Sequence, residues 1–354
     1  MADIITTSEN IGINDPKIKA IAKRVLGACI LSAQKATMHA VNARSFPMPA
    51  DRGAMESLLH DRFVSLDSSK RAGAVARVRD HLAAGPAVRA ALVGPELAAL
   101  DLQDSRSMFE HVKAIPMAPT MRLSRDLLAA PRALHGPSGL IPLQPSKRLG
   151  LRIHKVRCVD ETNPEWGGDD EIALGGTTVD ETGDVTKVAE FGVRNDFDDG
   201  EQKVYSPPKE FVWFNLSEGT AWPKSYFVTL VLAEKDMGGL SDFLNKMLDK
   251  VKTEVITALT TAIGAAIGTS GGPIGTIIGS VVGWIVGQVF AWLKAWWSDD
   301  VFAPQTVSIS LPSANATFSG GAKDSLERTL TYQGFGGTYA VTFDWILSPI
   351  AGGT

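Results

Sequence analysis

The chain has 354 residues, with 44% hydrophobic and 21% charged residues, values that exclude global disorder and allow two domains of ordinary size. The net charge of −4 conceals an asymmetry: residues 1–150 carry 20 Lys and Arg against 13 Asp and Glu, whereas residues 151–354 carry 15 against 26. This split indicates two regions with different surfaces, either solvated separately or in electrostatic contact. The basic region lacks the interleaved aromatic residues of a nucleic-acid groove, so no nucleic-acid partner is expected.

The N-terminal region is predicted to be mostly helical. After a loose arm over residues 1–14, Pro16 opens a run in which apolar residues recur at helical spacing. Further helices are predicted over residues 67–84, 86–101 and 104–113. Prolines recur between residues 115 and 150, which favours an extended connector. We therefore predict a helical domain over 1–140, a linker over 141–150 and a second domain over 151–354.

The second domain is predicted to be an antiparallel β-sandwich. Its segments are rich in β-branched and aromatic residues, are separated by turn clusters, and have no crossover helices between them. The fold class is therefore α+β, with a glycine-rich helical hairpin over 239–297 inserted in the sandwich. The predicted strands are 149–159, 171–179, 185–193, 210–216, 226–233, 306–311, 326–332 and 338–347.

The hairpin is the most unusual feature of the sequence. Its first helix, predicted over 240–268, carries charges only as far as Glu254. A turn at 269–273 leads to a second helix, Ile274–Leu293, which has 20 residues and no charge. At about 1.5 Å per residue, that length would cross the apolar core of a bilayer.

Small and aromatic residues are patterned along this hairpin. Glycines recur every four residues on the second helix, which forms a groove where another helix can approach closely, and tryptophans gather towards its end, as is typical of a membrane interface. The pattern resembles the glycine-zipper and hydrophobic-hairpin segments of membrane-active bacterial proteins, including colicin-type pore formers, although in those proteins the flanks are helices. The residues concerned are Gly264, Gly268, Gly275, Gly279, Gly283, Gly287, Trp284, Trp292, Trp296 and Trp297.

Acidic clusters occupy the loops between the predicted strands. Oxygen-rich loops at one end of a sandwich can hold Ca²⁺, and in this general sense the arrangement resembles C2-like β-sandwiches. The alternative is that they are solvated turns, since Asp, Asn and Gly favour turns for backbone reasons. No cofactor is expected to be required; the candidate Ca²⁺ ligands are Asp169, Asp170, Asp196, Asp198 and Asp199.

Catalytic and targeting signals are absent or poorly placed. Cys29 and Cys158 are the only cysteines, too few for a disulfide framework, so both are expected to be buried thiols. A formal GxSxG around Ser270 lies in a helix–helix turn, where a nucleophile elbow cannot form. No signal peptide is evident, so we expect synthesis in the cytoplasm, with any release through lysis or a dedicated export machine.

Two functions follow from these patterns, and an enzyme in the N-terminal half is a third alternative. The first is a membrane-active toxin or effector whose hairpin inserts into or packs at a membrane, with lipid as the partner and self-association through the hairpin. The second is a soluble interaction or structural module in which the β-sandwich binds a partner protein, with or without Ca²⁺, and the hairpin is buried as core.

Overall fold

The computed structural model confirms an α+β fold with an antiparallel β-sandwich. Within the described residues there are seven α-helices and nine strands. The structure describes residues 4–7, 13, 15–128, 148–161, 170–182, 184–218, 222–234, 240–264, 273–297, 302–334 and 336–348.

The helices fall into an N-terminal group and the hairpin. They are α1 (Pro16–His39), α2 (Met55–Val64), α3 (Ser68–Ala83), α4 (Pro86–Val93), α5 (Met108–Ala114), α6 (Leu240–Ile263) and α7 (Pro273–Trp297). The strands are β1 (Ile5–Thr7), β2 (Arg148–Asp160), β3 (Asp170–Val179), β4 (Val185–Phe197), β5 (Gln202–Asn215), β6 (Lys224–Glu234), β7 (Gln305–Leu311), β8 (Arg328–Gly334) and β9 (Gly337–Ser348).

Local sequence signals explain where several helices begin and end. Asp15 caps α1 by accepting hydrogen bonds from two backbone N–H groups of the first turn. The helix predicted over 86–101 ends at Val93 because Gly94 has a φ of 90°. The helix predicted over 104–113 begins only at Met108, after Ser107 closes a capping box. Helix α2 was not predicted.

The strands form two antiparallel sheets, in the orders β1-β7-β6-β3-β4 and β5-β2-β9-β8. All eight predicted strands are present, and several extend further than predicted. The prediction of a loose arm over residues 1–14 is wrong at Ile5–Thr7, which pair with Ser308–Ser310 of β7. An edge strand exposes unpaired backbone groups, and this short N-terminal strand satisfies those of β7.

Strand β6 separates two hydrophobic cores. Its even-numbered residues, such as Val228 and Leu230, face the interior of the sandwich. Its odd-numbered residues, such as Val231 and Ala233, face the other way, into a second core made largely of helices. Being buried on both faces explains why β6 is apolar throughout most of its length rather than alternating.

The hairpin forms the layer between the first sheet and the N-terminal helices. Helix α6 packs on β3 and β4, and α7 on β6 and β7, while both helices contact α1 on their other side. One hydrophobic core therefore joins helices that are more than 200 residues apart in the sequence, from Ile21 in α1 to Trp297 in α7. The linker was predicted over 141–150. Residues 141–147 lie outside the described residues, and residues 148–150 already belong to strand β2, which starts at Arg148.

Candidate functional site: the α6–α7 hairpin

The glycine row on α7 makes two different kinds of contact. A Cβ atom added to Gly275 would lie 2.5 Å from the carbonyl oxygen of Glu181, and one added to Gly279 would lie 2.2 Å from the ring of Phe227. The missing side chains at these two glycines therefore make room for the first sheet and its β3–β4 turn. The prediction that they face another helix is wrong. A Cβ added to Gly287 would meet nothing within 4 Å, and Gly283 is partly exposed.

Of the two glycines predicted on the first helix, the structure describes Gly264, which lies at the end of α6. Gly264 has a φ of 68° and its N–H donates to the carbonyl of Thr260. This left-handed residue terminates α6 in the manner usual for glycine, which is why the helix stops at Ile263 instead of continuing to 268. Gly268 and Ser270 lie outside the described residues.

The tryptophans at the end of α7 lie against the N-terminal helices. Trp297 is fully buried, its ring centroid is 5.2 Å from that of Phe63 in α2, and its Nε1 donates to Thr37 Oγ1 at 3.0 Å. Trp292 stacks on Trp296 with ring centroids 5.2 Å apart. Trp284 is only partly buried. These residues anchor α7 in the folded protein through aromatic area and one directed hydrogen bond.

The indole N–H of Trp292 is buried without a partner, as are those of Trp213 and Trp345 among the described residues. The side chain of Trp292 is 6% exposed, yet its Nε1 has no hydrogen-bond acceptor among the described residues. A buried donor without a partner costs about 1–3 kcal/mol. An indole at a membrane interface, by contrast, has water and headgroup oxygens within reach.

The charges of α6 make ion pairs with the surrounding layers. Glu254 is only 4% exposed, and its Oε2 lies 3.0 Å from Nζ of Lys113 in α5. Nearer the start of the helix, Asp242 pairs with Lys187 of β4. Lys252 Nζ lies 3.6 Å from Asp184 Oδ1, in the turn before β4. These ion pairs of α6 therefore lie between Asp242 and Glu254, whereas the end of the helix is held by backbone carbonyls: Ala262 accepts from the N–H of Leu123 at 3.0 Å and Gly264 from Arg125 Nη2 at 3.1 Å.

Beyond Glu254, the solvent-facing side of α6 carries threonines. Thr257 Oγ1 donates to the carbonyl of Thr253, and Thr261 Oγ1 to the carbonyl of Thr257, both at 2.9 Å. A threonine bonded to its own helix in this way needs no outside partner for its hydroxyl proton. The residues of α6 beyond Glu254 therefore carry no charge, and the hydroxyl protons of Thr257 and Thr261 do not require water.

Within the described residues, one helical stretch has the length and composition of a membrane span, namely Ile277–Trp297. In the fold 56% of its most apolar 18-residue window is buried, and the core helix of a soluble protein meets the same criteria. Its solvent-facing positions include Gln288, Ala291 and Ala295, which recur at helical spacing along one narrow face.

The predicted Ca²⁺ ligands that the structure describes lie near the start of β3 and the end of β4. Asp170, whose side chain is not described, is in register with Phe197, so the start of β3 adjoins the loop that carries Asp198 and Asp199. Asp196 pairs with Arg194 and Asp199 Oδ1 accepts from the N–H of Glu161. Asp169 lies outside the described residues. No three potential ligands gather as a metal site in the part of the chain that is described, and the Ca²⁺ site stays a prediction.

A charged cluster on the second sheet was missed by sequence reasoning. Asp344 of β9 is 2% exposed and its Oδ1 accepts from Arg152 Nε at 3.0 Å. His154 lies beside it, with Nε2 3.2 Å from Asp344 Oδ1 and Nδ1 3.1 Å from Glu327 Oε1. A bulge in β2 between Ile153 and Lys155 places the histidine here. No local sequence pattern predicts this cluster, because its members come from three separate segments of the chain.

Comparison of the chain with protein-family models, with curated proteins and with solved structures finds no match in any of the three. The functional argument therefore depends on the hairpin and on the layers that enclose it.

Proposed function

We propose that the chain is a membrane-active protein of the toxin or effector type, whose α6–α7 hairpin leaves the fold and inserts into or packs at a bilayer. The observation that carries the proposal is the uncharged segment Ile274–Leu293, which is long enough to span a bilayer core and is held between two layers of the fold. Lipid is the partner that this segment fits.

The apolar contacts of α7 support a transfer of this kind. Residues such as Val281, Ile285 and Val289 are almost fully buried in the folded protein. Lipid tails are as apolar as these side chains, so moving them from protein to bilayer costs little hydrophobic free energy. The barrier lies instead in separating the layers and in breaking the ion pairs of α6, of which salt screens the exposed ones.

The glycines support a second role once the hairpin has moved. Gly275 and Gly279, which fit against the first sheet in the fold, would then present a face without side chains. In lipid such small-residue faces pack against one another. We therefore propose that inserted hairpins associate through this face, giving a homo-oligomer in the membrane.

A soluble interaction module is the competing function, and the burial of the hairpin favours it. Trp297 and Leu293 are fully buried core residues that connect α7 to the rest of the helical core. In that case α7 never leaves the fold and the β-sandwich carries the binding surface.

Two arginine substitutions on α7 test the proposal. Gln288 lies near the centre of the 277–297 stretch and Ala295 near its end, and both are exposed in the fold. Gln288→Arg and Ala295→Arg should therefore leave the unfolding free energy nearly unchanged. In a bilayer, arginine at the centre of a span costs about 2.5–3.5 kcal/mol, whereas near the end it can reach the interface.

The measurements are vesicle flotation and dye release, over a range of pH and of anionic lipid content. We expect wild type and Ala295→Arg to bind and permeabilise vesicles, and Gln288→Arg to be about 100-fold weaker. Wild-type protein that neither floats with vesicles nor releases dye under any of these conditions would leave the soluble interaction module as the function.

A further inference from the structure

A cavity of about 220 Å³ lies between α1, α5 and α6, close to residues 115–117. Phe109, Val112 and Met117 give it an apolar wall, and Thr257 and Thr261 of α6 lie on the other side. An engineered cavity of about 150 Å³ holds benzene, so a volume of this size admits a molecule of about nine non-hydrogen atoms.

The charged groups of this cavity already have partners. Arg24 donates from Nη1 to Glu96 Oε2 at 2.9 Å and from Nη2 to the carbonyl of Val112 at 2.8 Å. Glu254, almost fully buried, is paired with Lys113. A charged ligand would either break one of these pairs or remain without an oppositely charged partner. Both outcomes cost free energy in a partly buried site. The cavity therefore favours a neutral ligand.

The hydroxyl groups on α6 define what the ligand must offer. A threonine hydroxyl has one proton to donate and two lone pairs to accept with. The protons of Thr257 and Thr261 are already donated to backbone carbonyls one turn earlier in the helix. The two oxygens can therefore only accept further hydrogen bonds, so a complementary ligand donates one.

From this combination of volume, paired charges and accepting oxygens, we propose that the cavity binds a small neutral alcohol or phenol, whose hydroxyl donates to Thr257 or Thr261 and whose apolar body lies against Phe109, Val112 and Met117. The site is formed by the N-terminal helices together with the hairpin, and its existence does not depend on membrane insertion.

The probes are 2-phenylethanol, which has about nine non-hydrogen atoms and fits the volume, and ethylbenzene, which lacks the hydroxyl. Binding is measured by ligand-observed NMR titration of the full chain. Because a net hydrogen bond contributes about 1 kcal/mol, 2-phenylethanol should bind about fivefold more tightly than ethylbenzene. Two charged analogues, 2-phenylethylamine and phenylacetate, should bind more weakly than the alcohol.

Substitutions on α6 separate this site from unspecific binding. Thr257→Val keeps the side-chain shape and removes the accepting oxygen, so it should weaken 2-phenylethanol binding and leave ethylbenzene binding unchanged; Thr261→Val repeats the test one turn later. Thr253→Val is the matched control, because Thr253 makes the same bond to its own helix but does not line the cavity. Ala258→Leu fills the space and should abolish binding of both probes.

Several results would overturn the proposal. They are failure of both neutral probes to bind, tighter binding of either charged analogue, 2-phenylethanol binding that neither Thr257→Val nor Thr261→Val weakens more than Thr253→Val does, and unchanged binding after Ala258→Leu. Circular dichroism and thermal melting of each variant identify any loss of binding that comes from unfolding. If Thr257→Val does not fold, the Thr261→Val result decides.

Discussion

The close approach of α7 to the first sheet can be tested with one substitution made at two places. In Gly279→Ala, the new Cβ would lie 2.2 Å from Cε2 and 2.3 Å from Cδ2 of Phe227. Carbon atoms prefer separations of about 3.5–4.0 Å, so helix and ring must move apart by more than 1 Å. Phe227 is 4% exposed, and its ring therefore cannot swing into solvent.

The expected change in unfolding free energy combines two opposing effects. Overpacking a core lowers the free energy of unfolding by about 1–3 kcal/mol. Replacing a helical glycine with alanine raises it by about 1 kcal/mol. Because the contact at 2.2 Å is severe, we expect Gly279→Ala to destabilise the fold by about 1–2 kcal/mol. Gly287→Ala meets nothing within 4 Å, so it should stabilise the fold by about 0.5–1 kcal/mol.

Urea unfolding followed by tryptophan emission and by far-UV circular dichroism measures both changes, and coincident transitions establish that a two-state treatment applies. A double-mutant cycle with Phe227→Leu adds a direct check. The smaller side chain should recover part of the loss in Gly279→Ala, with a coupling energy of about 0.5–2 kcal/mol, and none in Gly287→Ala. If both alanine substitutions stabilise the protein equally, Gly279 of α7 does not lie in close contact with Phe227 of β6.

Two more predictions concern pH and metal. Burial raises the pKa of the Glu181 carboxyl above its usual range, despite Lys224 Nζ at 3.3 Å. This group's contribution to stability is therefore largest below the ordinary carboxylate pKa and is lost as pH rises through the raised value. Glu181→Gln should become progressively more stable relative to wild type as pH rises above the ordinary carboxylate pKa of about 4, as followed by urea unfolding; a difference that stays constant as pH rises contradicts the assignment. If the acidic loops bind Ca²⁺, millimolar Ca²⁺ should raise the melting temperature of wild type and not of Asp196→Asn, Asp198→Asn, and equal melting with and without Ca²⁺ would leave only solvated turns.

Secondary structure was largely predictable from the sequence because its signals are local. Runs of β-branched and aromatic residues between turn clusters located the strands, and Pro16 marks where α1 begins. The end of α6 was predicted at 268, five residues beyond its end at Ile263. Helix α2 and strand β1 were missed for different reasons. Helix α2 lacks a capping side chain at its N-terminus, and β1 is only three residues long and is defined by its pairing with β7.

The sequence by itself determined that the segment Ile274–Leu293 is uncharged, long and lined by glycines, since these are properties of composition and spacing. Only the tertiary structure decided what those glycines face. Spacing of four places Gly275 and Gly279 on one helix face but cannot distinguish a second helix from the ring of Phe227, which lies more than 40 residues earlier in the chain. The Arg152–His154–Asp344 cluster and the cavity beside Thr257 are likewise formed by residues from distant segments. Their geometry is set by sheet register and by the packing of layers, which no local pattern encodes.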